Sequence, residues 1–276
     1  MTNTFYIIIP LFIFLFGLAI GSFLNVLVLR MRTGMSLGGR SGCFSCGHEL
    51  SWKELIPVLS FVMLKGRCKN CSSKISWQYP LVEISVAVLF LLVWFLKKPD
   101  MWNFVTISIG LINFAIMAVF VAIFVYDIKH KIIPDSFVIS LIVLGLLQTA
   151  LMVYQGGGFM LFVHKIIASL FLFFPFFVLW SVSRGRWIGL GDGKLALAFG
   201  FLLPFTSAIS GIVMAFWLGA LVSIFLLSMQ GKKVGMKTQI PFAPFLIIGA
   251  LIVFFYPLDL FHLELFREIL GSGLLG

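Results

Sequence analysis

Charge is scarce in this sequence. Only 11% of its 276 residues are Asp, Glu, Lys or Arg, and the acids number ten. A soluble domain carries about 25% charged residues, so a water-soluble globular enzyme is excluded. A disordered chain is excluded too, because it needs high charge and low hydrophobicity. The four cysteines are too few for a disulfide scaffold. A phosphate loop of the form Gly-x4-Gly-Lys-Ser/Thr is missing, since Ile188 stands at its first glycine and Leu195 at its last position. Gly191-Asp-Gly-Lys-Leu-Ala196 fits a dinucleotide fingerprint only formally, because no strand precedes it. There is no internal repeat, and no basic motif module that would read as nucleic-acid binding.

What fills the chain is apolar. Hydrophobic residues make up 61% of it, with 32 Phe, and mean hydropathy is +1.12. This composition predicts an all-α polytopic membrane protein. Apolar runs at about 5–29, 80–96, 102–126, 136–153, 160–182, 208–228 and 240–257 read as spans, with a shorter stretch at 191–205. Counting that stretch gives about eight transmembrane helices. The first run has no basic residue before it and ends at Arg30. That argues for a retained span with its N-terminus outside rather than a cleaved signal peptide. In this orientation the loops 30–78, 127–135, 183–194 and 229–239 face inward. They hold sixteen of the twenty Lys/Arg, against three outside (Lys97, Lys98 and Arg267) and Lys165 within a span. The bias matches cytoplasmic loops, and it requires the eighth crossing.

All four cysteines fall in the loop between the first two spans, as Cys43-x2-Cys46 and Cys68-x2-Cys71. Two such pairs can place four thiolates tetrahedrally around one Zn²⁺, which closes a structural site rather than leaving a catalytic position open. Gly47 and Gly66 suit tight knuckle turns. His48 is an alternative ligand, but four cysteines already complete the set. A cytosolic loop keeps its thiols reduced, so metal is favoured over disulfides.

Three acids beyond residue 100 sit at inward span ends: Asp127, Asp135 and Asp192. A carboxylate at a membrane boundary is costly and marks a functional site by default. Asp127 and Asp192 fall at the same face. Brought together they can share a proton and activate water, titrating as a unit. A blander reading pairs Asp127 with Lys129 or Lys131, and makes Asp135, after Pro134, the N-cap of the next helix.

These residues resemble those of the type IV prepilin peptidases, bacterial inner-membrane aspartyl proteases of the Gly-x-Gly-Asp type. The resemblance runs through Gly21-Ser-Phe-Leu-Asn25-Val26, the two Cys pairs with Leu55-Ile-Pro57 between them, and Tyr79-Pro-Leu-Val-Glu83. It continues through Asp127-Ile-Lys-His-Lys-Ile-Ile-Pro134-Asp135, Gly189-Leu-Gly191-Asp192 with Lys194, and Ile240-Pro-Phe-Ala-Pro-Phe245. The chain has Ala243 where the family usually has Gly, and no proline follows Arg30.

The resemblance implies a catalytic pair, Asp127 and Asp192, that cleaves the basic leader of type IV prepilins or pseudopilins at the cytoplasmic face of the inner membrane. It also implies methylation of the new N-terminal amine with S-adenosylmethionine. Asn25 and Glu83 are the candidates for the methyl-donor site. Asn25 can equally satisfy a helix–helix hydrogen bond, Glu83 can pair with a basic loop residue, and Pro241 can simply open a helix. The implied division is a first transmembrane helix (1–29), a cytoplasmic zinc-binding loop with a methyltransferase role (30–78), and a transmembrane peptidase core (79–276). The rival readings are a peptidase without methyl transfer, a transporter whose aspartates carry protons, and a membrane scaffold with a zinc-ribbon docking loop. Oligomeric state is not set by the sequence.

Overall fold

A computed structural model of the chain describes residues 2–31, 38–97, 103–229 and 240–261. The basic loop at 230–239, together with Lys98 and Arg267, lies outside the described residues. The described part is helical, with two isolated β-bridges as its only extended pairings. Its helices are α1 (Thr2–Arg30), the short α2 (Leu59–Met63), α3 (Gln78–Lys97), α4 (Phe104–His130) and α5 (Asp135–Met152), followed by α6 (Met160–Ser183), α7 (Leu190–Leu202), α8 (Phe205–Met229) and α9 (Ala243–Phe255).

Among the described residues six helices are long and apolar enough to cross a bilayer. This is a multi-pass membrane protein, but two of the eight expected crossings are short. α7 and α9 have 13 residues each and span only about 20 Å against a hydrocarbon core of about 30 Å. Proline explains the shortening. Pro204 follows α7, and α9 starts late at Ala243 with Pro244 in its first turn and Pro257 beyond its end. Pro241 therefore lies ahead of α9 and does not open it. At α4 the change is in the other direction. Asn103 caps its start by accepting the Val105 N–H at 2.9 Å, and the helix runs on to His130, past the expected end at 126. It closes on Lys131, whose left-handed backbone lets its N–H reach the Asp127 carbonyl.

The chain forms two compact units. The first comprises residues 1–100 and 113–125. In it α1 and α3 pack closely, with Gly17 over Ala87 and Gly21 over the Glu83 backbone. Small residues are what allow such approach where lipid removes the hydrophobic drive for helix association.

The second unit holds 101–112 and 126–276. Its centre is α7, which runs antiparallel to α6: Gly193 faces Phe176, Gly200 faces Ser169, and the Leu203 carbonyl accepts from Lys165 Nζ at 2.8 Å. Lys165 thus places its charge at the C-terminal end of α7, where carbonyls are unpaired and the helix dipole favours a cation. That accounts for a lysine inside a span.

Candidate active site and cysteine centre

The cysteine loop is built from two copies of one turn. Cys43 N–H donates to the His48 carbonyl and Gly47 N–H to the Cys43 carbonyl. Cys68 N–H donates to the Ser73 carbonyl and Ser72 N–H to the Cys68 carbonyl. Each turn is closed by a single β-bridge, Gly42 with Glu49 and Arg67 with Lys74. The residue that must turn left-handed is Gly47 (φ 71°) in the first copy and Ser72 (φ 58°) in the second. Gly66 has another task than the knuckle expected of it. It ends α2, with its N–H on the Phe61 carbonyl and the Lys65 N–H on Val62, which is a Schellman closure.

The four sulfurs lie within 4.8 Å of one another, and Cys43 Sγ and Cys71 Sγ are 3.8 Å apart. Tetrahedral zinc with Zn–S near 2.3 Å sets sulfurs about 3.8 Å apart, so the donor set fits that ion in kind, number and spacing. Hydrogen bonding from the Ser73 hydroxyl, then from the Ser45 and Cys46 backbone, holds the Cys43 thiol down at about 5. The Ser73 hydroxyl likewise lowers Cys71. Both are thereby biased towards the thiolate that a metal needs. The His48 backbone hydrogen-bonds Cys46, but its imidazole is outside the donor cluster, with Nε2 3.6 Å from Glu54 Oε2.

Asn25 and Glu83 belong to the same unit, and their polar atoms are engaged within the protein. The Asn25 amide donates to the Tyr79 carbonyl at 3.1 Å and accepts from Gln78 Nε2 at 3.3 Å. It thereby ties α1 to the first turn of α3. The buried Glu83 carboxylate accepts the Val58 N–H at 2.7 Å. Among the described residues neither pairs with a basic loop residue.

In the second unit a cleft of about 1010 Å³ is lined by Asp127, Lys131, Asp135, Arg186, Asp192 and Lys194, with Phe216, Gly219 and Phe242 among its other walls. Six charged side chains thus meet in its wall. The structure brings both sequence-picked aspartates here from opposite helix ends. Asp127 lies in the last turn of α4 and Asp192 in the first turn of α7. They stand within electrostatic reach of each other.

Asp127 is 4% exposed. Its carboxylate accepts the Ala243 N–H, while Oδ2 is buried with no partner among the described residues. That N–H comes from the backbone, so Ala serves where the family usually has Gly. Asp192 is held by Gly189, whose N–H meets its carboxylate and whose carbonyl accepts its backbone N–H at 3.2 Å. The two motifs close on each other through Gly191, where an added Cβ would sit 3.3 Å from Ile133 Cβ.

Asp135 is not the cap expected of it. Pro134 holds the N-cap position, and Asp135 is the first residue of α5. Its Oδ1 pairs with Lys194 Nζ at 2.7 Å and so ties the first aspartate motif to the second. Lys131, weighed from sequence only as a partner for Asp127, lines the cleft, while Arg186 and the Ala243 N–H leave no sequence signal: the first looks like a topology charge, and a backbone donor leaves no mark in composition.

A helical multi-pass membrane protein, with two carboxylates in one polar cleft and a four-cysteine loop, is the class that this fold and site define. Comparison narrows it. The bacterial peptidase A24 N-terminal domain matches residues 15–96 and the type IV leader peptidase family matches residues 114–224. A protein of Legionella pneumophila named prepilin leader peptidase/N-methyltransferase is 30% identical, over 93% of this chain and 96% of its own. One of the same name from Aeromonas salmonicida is 30% identical over 86% and 87%. Another, from Myxococcus xanthus, is 31% identical over 83% of this chain but 66% of its own length. No solved structure matches the chain significantly. The chain belongs to the type IV leader peptidase family.

Proposed function

We propose that the protein removes the short basic leader from type IV prepilins or pseudopilins and then methylates the exposed N-terminal amine, with S-adenosylmethionine as donor. The observation that carries the peptidase half is the convergence of Asp127 and Asp192 on one polar cleft. One carboxylate takes a proton from the attacking water while the other, protonated, donates to the scissile carbonyl oxygen. The amine leaves with the returned proton, and the pair regains its single shared proton.

Sixteen of the twenty basic residues support a topology with the N-terminus outside and the cleft at the cytoplasmic face of the bacterial inner membrane. The antiparallel run of α7 against α6, from Gly193 to Leu203, supports the eighth crossing that this topology needs. Cys43, Cys46, Cys68 and Cys71 hold Zn²⁺, which supplies folding energy to a loop with little core of its own. The loop of residues 30–78 takes the methyl-transfer role and residues 79–276 the peptidase role. The methyltransferase half is carried by the relatives' names and by the presence of this loop. Asn25 and Glu83 support it only as the frame on which the loop is mounted.

The test is mass spectrometry of a prepilin-type substrate after incubation with purified protein and S-adenosylmethionine. Cleavage with one added methyl is expected, and both Asp127→Asn and Asp192→Asn should abolish cleavage. Full cleavage by either variant overturns the catalytic assignment. Cleavage without the methyl removes the transferase half alone.

A further inference from the structure

Leu59, Val62 and Met63 follow i, i+3, i+4 spacing on α2, so they share one face, and Leu55 precedes them across the break at residues 56–58. All four are exposed, between 44% and 72%, and Trp52 and Trp77 beside them are about 70% exposed. A contiguous apolar stripe of this kind is costly in water and marks a contact surface.

Its depth is fixed by α3. That helix has 20 residues, about 30 Å, which matches the hydrocarbon core, so Gln78 stands at one membrane boundary. Glu83 is five residues further in, about 7 Å along the axis. Its carboxylate receives the Val58 N–H at 2.7 Å, which sets Val58 at that depth, just before α2 begins. A second tie holds α2 at the boundary itself. Phe61 of α2 packs on Trp77 with ring centroids 4.8 Å apart, and Trp77 directly precedes α3.

Val58 is β-branched, yet it holds a left-handed backbone (φ 60°), a conformation costing roughly 1–3 kcal/mol that persists only where its surroundings enforce it. Irregular backbone at membrane depth must be satisfied by protein, and the buried Glu83 carboxylate does this. The flanking charges are mainly cationic: Lys53, stacked over Trp52 at 5.5 Å, then Lys65 and Arg67; the one acid, Glu54, is turned back onto Ser51 and His48.

We infer that the segment Trp52–Met63 lies in the membrane interface, its apolar side chains in the acyl boundary and Lys53, with Lys65 just beyond the segment, among anionic headgroups, pinned there by the Glu83–Val58 bond. An apolar face, flanking tryptophans and a basic rim are what an interfacial helix requires. The cysteine loop is thereby seated on the bilayer surface rather than projecting freely from it.

The experiment uses full-length protein in nanodiscs of phosphatidylethanolamine and phosphatidylglycerol. A nitroxide amino acid is placed at Val62, at Lys69 as the aqueous reference, and at Leu92 within α3 as the lipid reference. Power saturation compares collision with oxygen and with a water-soluble nickel chelate. The oxygen-to-nickel ratio at Val62 should exceed that at Lys69 several-fold and approach that at Leu92. Nickel access equal to that at Lys69 overturns the inference. So does shielding from both reagents, which indicates a protein partner on the stripe. If the label at Val62 disturbs folding, quenching by brominated lipid decides. Wild-type tryptophan fluorescence should show a quenched component that Trp52→Phe removes, and equal quenching in the two proteins refutes the seating.

Discussion

Gly200→Ala tests whether the approach of α7 to α6 positions Asp192. The added Cβ would collide with the Ser169 Cα and lie 2.5 Å from both its backbone nitrogen and its Oγ. Ordinary contact begins near 3.4 Å, so the helices must part by about 1 Å, because backbone atoms cannot rotate away. Overpacking of this kind costs about 1–3 kcal/mol. The far end of α7 is tethered by Lys165 to the Leu203 carbonyl, so the displacement is passed towards the N-terminal end. Asp192 lies eight residues away there, about 12 Å along the axis.

A displacement of about 1 Å at a reacting group can cost on the order of 10²-fold in rate. Initial rates of leader cleavage, with a thermal unfolding curve on the same preparation, should show a fall of about 10- to 100-fold and a lower midpoint. Ser169→Gly added to Gly200→Ala removes Oγ but not the backbone atoms, and should restore little. Wild-type rate and midpoint in Gly200→Ala would refute the positioning argument.

The other expectations rest on separate observations. Metal analysis should find one zinc per chain, and Cys43→Ser or exhaustive chelation should abolish it and end methyl transfer while leader cleavage continues; loss of cleavage in parallel would show that the loop supports the peptidase as well. Asn25→Leu removes the second donor on the Tyr79 carbonyl, which keeps its helical bond, and takes the acceptor from the Gln78 amide; stability should fall by about 0.5–1.5 kcal/mol in a thermal or denaturant assay. Lys194→Met breaks an ion pair whose side chains are 39% and 63% exposed; it should cost no more than about 1 kcal/mol, and adding salt should weaken the wild type in the same sense while leaving the variant unchanged.

The sequence made the helices legible because lipid imposes one rule: an apolar run of sufficient length must be a helix. It was less reliable at the ends, where the decisive contacts are local and polar. α4 runs past its apolar stretch because Lys131 supplies the left-handed closure, a conformation that no composition window would assign to lysine. α9 falls short because Pro241 and Pro244 delay its start. The same limit applies at the sites. Cys43, Cys46, Cys68 and Cys71 announce themselves by spacing, and Asp127 and Asp192 by being acids at boundaries. The Asp135–Lys194 pair, 59 residues apart in sequence, and the Ala243 N–H on Asp127 depend on tertiary approach. Periodicity carries no trace of either.

The catalytic role proposed for Asp127 and Asp192 agrees with what peptide hydrolysis requires. A peptide inside a membrane-spanning helix has its N–H and C=O bonded within the helix and has no water near it. A protease acting on such a substrate therefore has to work where the substrate helix ends and water begins. Both carboxylates are held by helix termini, Asp127 near the end of α4 and Asp192 near the start of α7, which is where the proposed topology puts that level. A terminus is also where backbone groups are left over. The Ala243 and Gly189 N–H groups that hold the two carboxylates come from the start of α9 and the residue preceding α7. In the hydrocarbon interior neither the unpaired N–H groups nor the water would be present. Short helices are therefore an advantage here: had α7 and α9 begun a turn earlier in apolar sequence, those donors would have been consumed within the helices and the cleft would have lost its polar wall.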